Sequence, residues 1–364
     1  MTDVHRPLTE AAEPARSLRV ESQAIYVALI AGSLGALAGL ILALTVPPLP
    51  MAGDWSFGAV LAVMAAATAA VAGTIGYWGG RTAHGQEWRQ NLSSVTFTIN
   101  TIAVVLVHVV LAALTVLVVY IVLGLGFVGL LVDLFWSVVL AAVTLGLTGY
   151  ITYLSVSRMT TQRMSTLLMA FVAIGTIAAM ITTTDKSWWG THFSHLGTFW
   201  SVSSLLFNGT LVVGGLLVTA FAVYLANDLR ALVKRGILQR ASSSRVISIM
   251  FIVMGVMLAG VGLVPVNVSR PIHNICASGM AVMFIGLLVA GPWVVRGMPR
   301  AYFIASGAFL AAVLLSTALF VVGYFGLTAF EIIVFALVFG WIAVFIRFLG
   351  VADQATEATS GLGA

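Results

Sequence analysis

"AIYVALIAGSLGALAGLILAL", residues 24–44, carries no charged side chain from end to end. A bilayer's hydrocarbon core is about 30 Å thick and each helical residue adds about 1.5 Å, so about 20 mainly apolar residues cross it. This stretch is long enough to span and stay. Backbone N–H and C=O groups in lipid must be paired within the protein, which leaves helices or closed barrels. Barrel strands are shorter and alternate apolar with polar, whereas this run is continuous. It is a spanning helix.

The same reading repeats along the chain. Ten segments qualify: 25–46, 57–78, 98–123, 128–154, 164–183, 203–226, 246–264, 274–295, 301–323 and 328–348. Composition agrees, because 60% of the 364 residues are hydrophobic and only 8% are charged. A soluble domain carries about 25% charged residues. The fold class is therefore all-α: a polytopic integral membrane helix bundle, multi-pass in the cell membrane.

Charge sets the orientation. With the N-terminus in the cytoplasm, only Lys186 and Arg270 of the 17 Lys and Arg fall outside. This is the positive-inside bias, and it places both termini in the cytoplasm. The net charge of +5 is thereby assigned to topology, and no nucleic-acid partner is expected. The single cysteine, Cys276, excludes an intramolecular disulfide and a cysteine-based zinc cluster. It reads as a packed core thiol. No cofactor is implied.

Residues 1–22 are polar and mixed in charge, and are expected to form a disordered cytoplasmic tail without signal-peptide features. Residues 23–157 form a four-helix N-terminal membrane domain. A boundary at "SVSRMTTQRMS", 155–165, leads to a six-helix domain over 158–349, and 350–364 reads as a second disordered cytoplasmic tail. In the first span, Gly35-x-x-x-Gly39 offers a close-packing surface for another helix, which leaves a homo- or hetero-oligomer in the membrane open. The longest cytoplasmic connection, "NDLRALVKRGILQRASSSR" at 227–245, has five basic residues. Such clusters set topology, and they also attract anionic headgroups at about 1 kcal/mol per charge.

Polar groups inside a membrane each need an explanation. In the third span Thr101, His108 and Thr115 recur every seven residues on one face, with Asn100 at the edge of that stripe. In the fourth, Asp133, Ser137, Thr144, Thr148, Thr152 and Ser155 share an arc of roughly 100°. The short link "LGLGFVG" makes these two helices antiparallel neighbours. His108 and Asp133 could line a hydrated path or proton relay, or the seams could be ordinary interhelical hydrogen bonding. Glu331 closes "TAFE", 328–331, which fits the capping box T-x-x-E.

The outer connections gather Asp185, Lys186, His192, His195, Arg270, His273 and Asn274. The spacing of His192 and His195 puts them on one face if the loop is helical. Trp188, Trp189, Phe193, Phe199 and Trp200 surround them, as in an aromatic belt at headgroup level. Such a set could anchor the loop, recognise a ligand, or use a His–Asp pair as a general base. Metal ligation would need the three histidines and Asp185 to converge, and no metal is assigned.

"FSHLGTFWSVSSLLFNGTLVVGGLL" (193–217) and "GVGLVPVNVSRPIHNICASGMAVMF" (260–284) carry a resemblance. Together they resemble an uncharacterised family of bacterial six-helix membrane proteins, a domain of unknown function related to the Frag/DRAM/Sfk superfamily, over about 164–349. The family pattern falls on Ser194, Leu196, Gly197, Phe207, Asn208, Gly215, Gly262, Pro265 and His273. The loop serine is usually followed by an aspartate, where this chain has His195. The resemblance adds Asn208 to the candidate ligand-binding residues and implies contact with membrane lipids.

Three functions are compatible with these residues. The first is a lipid-interacting binding or scaffold module in envelope lipid handling. The second is a transporter or lipid flippase using the polar seams of the third and fourth spans. The third is an outward-facing, membrane-embedded hydrolase or transferase using the histidine cluster. No Walker loop is present, and an enzyme is the less expected outcome.

Overall fold

The computed structural model describes the backbone of residues 8–83 and 86–361, and the side chains of 18–83 and 86–350. Among the described residues, ten helices are long and apolar enough to cross a membrane. The chain is a multi-pass, all-α membrane protein. It divides into two compact units between Met159 and Thr160.

The first unit contains α1 (Leu8–Thr45), α2 (Phe57–Gly80), α3 (Ser94–Gly126) and α4 (Leu134–Ser157). Two short strands, β1 (Leu49–Pro50) and β2 (Leu131–Val132), pair antiparallel with Leu49 opposite Val132. The second unit contains α5 (Thr161–Thr182), α6 (Val202–Lys234), α7 (Ser243–Leu263), α8 (Arg270–Val294), α9 (Arg300–Val321) and α10 (Leu327–Gly361).

Capping decides where several helices begin. Ser56, Ser93, Asp133, Thr160 and Ser201 each accept a hydrogen bond from the backbone N–H three residues on. A short side-chain oxygen at that position pairs an N–H that the helix leaves free. Asp133 is thus the cap of α4, accepting from Trp136 N at 2.9 Å, and not a residue within that span. Its carboxylate is accounted for by the helix start, which corrects its place in a hydrated path.

Small residues bring the helices of the first unit together. A Cβ on Gly39 would lie 2.4 Å from the Ser137 carbonyl oxygen, and one on Gly35 2.5 Å from that of Ala141. The Ser137 hydroxyl donates to Gly39 O at 2.8 Å. The Gly35–Gly39 surface is therefore occupied by α4 of the same chain and is not open to a second copy. The helix of α1 also starts at Leu8, so the backbone over 8–22 continues the span instead of forming an irregular tail. The stretch just before its apolar run is held by α4: Tyr153 donates to Gln23 at 2.8 Å, Tyr150 donates to Glu21, and Arg158 pairs with Glu21 at 3.5 Å. Helix α10 likewise runs on through 351–361. Residues 1–7 and 362–364 lie outside the described residues.

The core of the second unit is a stack of aromatic rings. Trp341 and Phe345 of α10 lie 5.1 Å apart at 2°, and Phe251 of α7 continues the stack at 6.4 Å from each. Phe284 of α8 meets Trp341 edge-on at 5.8 Å, and Ser306 of α9 accepts from the indole N–H at 3.1 Å. Offset and edge-to-face rings add favourable quadrupole contact to their packing. Helices α6 and α7 come closer than any side chain permits, with Gly215 against Gly255. Cys276 packs over Gly260 between α8 and α7 and is partly buried. Large apolar side chains such as Val63, Val119, Ile177, Ile249 and Ile304 remain exposed along the spans. No water-facing surface is built this way; lipid covers it.

Candidate functional site

The connection between α5 and α6, residues 183–201, folds into two short 3₁₀ turns, Trp188–Gly190 and Phe193–Gly197. It is fastened from below. Phe193 is buried, edge-on to Phe207 at 5.1 Å and to Phe335 at 5.9 Å. Its backbone N–H donates to the Glu331 carboxylate at 2.5 Å. Asn208 Nδ2 donates to Gly197 O at 2.8 Å, Ser204 Oγ donates to the same oxygen at 3.1 Å, and Ser203 Oγ donates to Ala179 O at 2.8 Å.

Several sequence readings change here. Glu331 belongs to the second turn of α10, and its carboxylate holds the loop instead of closing a capping box with Thr328. Phe193 is a core anchor and not part of an interfacial belt. Asn208 positions the loop, so its amide is committed to protein. The aromatics that remain outside are Trp189, Phe199 and Trp200, which are 67%, 70% and 105% exposed. Phe199 adopts φ 63°, a left-handed backbone that a bulky side chain rarely accepts. It turns the chain outward just before α6, with its ring 6.3 Å from that of His195.

On this base the polar groups come together. His195 Nε2 lies 3.1 Å from Asp185 Oδ2. His192 Nδ1 lies 3.0 Å from Ser194 Oγ, and the His192 and His195 rings meet edge-on at 5.6 Å. Asp185 also accepts from the Ser187 N–H and hydroxyl, both at 2.8 Å. Those two bonds, the Ser187 N–H first, and the imidazole of His195 hold its carboxyl below the usual carboxylate range. His192 is held below the ordinary histidine value, first by burial and then by the positive charges of His195, His273 and Arg270. Arg270 and His273 both belong to the first turn of α8.

His273 is 5% exposed. Its Nδ1 lies 2.9 Å from Val264 O; a carbonyl only accepts, so Nδ1 carries the proton. Only Nε2 is left for a ligand. Asn274 is exposed, one residue further along α8 and so about 100° around it. Among the described residues, no three His, Cys, Asp or Glu side chains gather as a metal ion requires.

The intramembrane candidates behave differently. His108 Nδ1 donates to Val104 O at 2.8 Å, and its Nε2 is hydrogen-bonded with Ser155 Oγ at 2.9 Å. Tyr120 and Thr144 pair at 3.0 Å, and Thr101 and Thr148 donate to carbonyls one turn back. The pairs 108–155 and 120–144 run in opposite order, so α3 and α4 are antiparallel. Among the described residues, side-chain hydrogen bonds join α3 and α4 at these two points, and α4 packs mainly along α1 and α2. No local pattern singles out Arg89, which is buried with its guanidinium 3.9 Å over the Tyr77 ring and donates to Tyr77 O at 2.8 Å.

Comparison with protein-family models, curated proteins and solved structures finds no match. The chain is a multi-pass helical membrane protein whose 183–201 loop, braced from below, carries a His–Asp pair between exposed aromatics.

Acid should loosen that loop. His192 and Asp185 both have depressed values, so the folded state binds fewer protons than the unfolded state across each window. The stability from His192 is complete above about 6.5, the ordinary histidine value, and is lost as pH falls through its lowered one. That from Asp185 is complete above the ordinary carboxylate value near 4 and is lost further down. Proteolysis after Lys186 should therefore accelerate on acidification below about 6.5, and His192→Gln should remove the upper part of that rise. An acid response unaltered in His192→Gln would refute the assignment.

Proposed function

We propose that this chain is a lipid-interacting module whose outer platform recognises an anionic headgroup. The observation that carries the reading is the edge-on pair of His192 and His195 with Asp185 on His195, in a loop that exposes three aromatic rings; Arg270 and His273, at the start of α8, add charge that His192 senses. Cationic or protonatable groups that repel one another favour an anion nearby. Trp189, Phe199 and Trp200 would rest at the headgroup boundary, where amphipathic rings collect. The buried anchors Phe193, Asn208 and Glu331 preorganise the platform, which lowers the ordering cost of binding.

The test is lipid retention by the full-length protein in native mass spectrometry. Arg270→Gln combined with His192→Gln should lower the affinity for phosphatidylglycerol about tenfold or more, equivalent to about 1.4 kcal/mol. Binding to the parent should strengthen as pH falls through the lowered value of His192. Unchanged retention in the double variant, or equal retention of phosphatidylcholine, would exclude headgroup recognition here.

The Asp185–His195 pair favours a second reading, an outward-facing hydrolase or transferase. A carboxylate that orients an imidazole is the arrangement a general base uses. Lipid hydrolysis abolished by His195→Ala at unchanged lipid retention would establish it. The transporter or flippase reading draws less from the structure, because both nitrogens of His108 are satisfied and Asp133 caps a helix.

A further inference from the structure

The basic connection 227–245 is folded, not slack. Helix α6 runs on to Lys234, about two turns past the apolar stretch read from the sequence. The following turn is pinned to the α8–α9 connection. Gln239 N donates to Arg296 O at 3.0 Å, Ser243 Oγ donates to Val294 O, and Leu238 is buried. Gly297, at φ 116°, leaves no room for a Cβ against Ile237 O.

Between the inner ends of α6 and α7 this leaves an open groove of about 360 Å³. Its floor is built by two hydroxyls that join the helices: Ser244 Oγ donates to Ala226 O at 2.8 Å and Ser248 Oγ to Ala222 O at 3.1 Å. Arg230 and Arg245 both line it, and no acid does. Arg230 is steered along its helix by Nε donating to Ala226 O at 3.1 Å. Its terminal nitrogens, and the whole guanidinium of Arg245, have no hydrogen bond or ion pair among the described residues. The first turn of α7 adds to this. Ser242 makes no side-chain cap there, and the N-terminal end of a helix carries partial positive charge. Ile249 on the same wall marks where α7 enters lipid.

We propose that this groove is a phosphate site, occupied by the headgroup of an anionic phospholipid of the cytoplasmic leaflet. Two guanidiniums facing one concavity repel each other until an anion sits between them, and their forked donors match phosphate oxygens. The volume suits a headgroup, and the pinned turn holds both walls before binding. Diffuse attraction of a basic loop requires none of this geometry. The inference is independent of the outer platform.

The full-length protein, titrated with short-chain phosphatidylglycerol and read by native mass spectrometry, tests it. R230Q/R245Q should lose one bound lipid, with affinity down at least tenfold. R240Q/R296Q removes the same charge outside the groove and should change affinity less than twofold. Ala241→Phe fills the groove at constant charge and should lose the same lipid. It carries the test alone if the double arginine variant fails to fold. Excess inorganic phosphate separates the sources of the phosphate. If it leaves the lipid bound, the headgroup is the occupant; if it displaces the lipid and raises the unfolding temperature only while Arg230 and Arg245 are present, the groove takes free phosphate. Equal losses in the groove and control variants, or full retention in Ala241→Phe, would overturn the proposal.

Discussion

Trp341→Ala is expected to cost about 3–5 kcal/mol of stability, the range for truncating a buried large aromatic. Trp341 is 1% exposed and is the ring that four helices share: α7 through Phe251, α8 through Phe284, α9 through Ser306 and α10 through Phe345. In lipid the apolar surroundings supply little driving force of their own, so packing of this kind carries the association of helices. Truncation leaves a cavity that no single neighbour can fill, and it removes the donor to Ser306. Trp200→Ala is the control, because the same residue type is fully exposed there. It should change stability by less than about 0.5 kcal/mol. Thermal unfolding of the two variants in detergent makes the comparison, and equal shifts would refute the assigned core.

Gly215→Leu should be at least as damaging. A Cβ at position 215 would lie 2.4 Å from Gly255 O and 2.5 Å from Ala259 N, both backbone atoms that no side-chain rotation can move. Helices α6 and α7 must separate to admit it. Overpacking of this kind costs about 1–3 kcal/mol where neighbours can shift, and more is expected where the obstacle is a helix backbone. The same separation would break the Ser244–Ala226 and Ser248–Ala222 bonds, where the C-terminal part of α6 meets the start of α7. Gly209→Leu is the matched control, since nothing lies within 4 Å of a Cβ there. The unfolding temperature should fall for Gly215→Leu and stay near the parent value for Gly209→Leu.

The spans were readable because lipid imposes a one-dimensional rule. Each crossing needs a long uncharged run, and a helix pairs its own backbone within that run. The α2 run expected over 57–78 is a helix over Phe57–Gly80, for example. The misplaced start of α4 has a local cause, since Asp133 caps the helix after a two-residue strand.

The site was readable as a collection and not as an arrangement. The spacing of His192 and His195 foreshadowed their contact. The partner of Phe193 N is Glu331, 138 residues away, and no local pattern connects them. TAFE matches a capping box, but tertiary contact gave the carboxylate a different donor. Composition cannot separate Phe193, an anchor, from Trp200, a surface ring, because both are aromatic residues in one loop. Arg230 and Arg245 stood out only as charges, since the groove that unites them depends on how α6 and α7 pack.

The central claim is that lipid surrounds the spans, with residues 185–200 beyond the cytoplasmic side and 227–245 within it. Cysteine labelling tests it most directly. In a Cys276→Ser background, Lys186→Cys should react with a membrane-impermeant maleimide in intact cells, and Arg240→Cys only after permeabilisation. Labelling of Arg240→Cys in intact cells, with Lys186→Cys protected, would contradict the account.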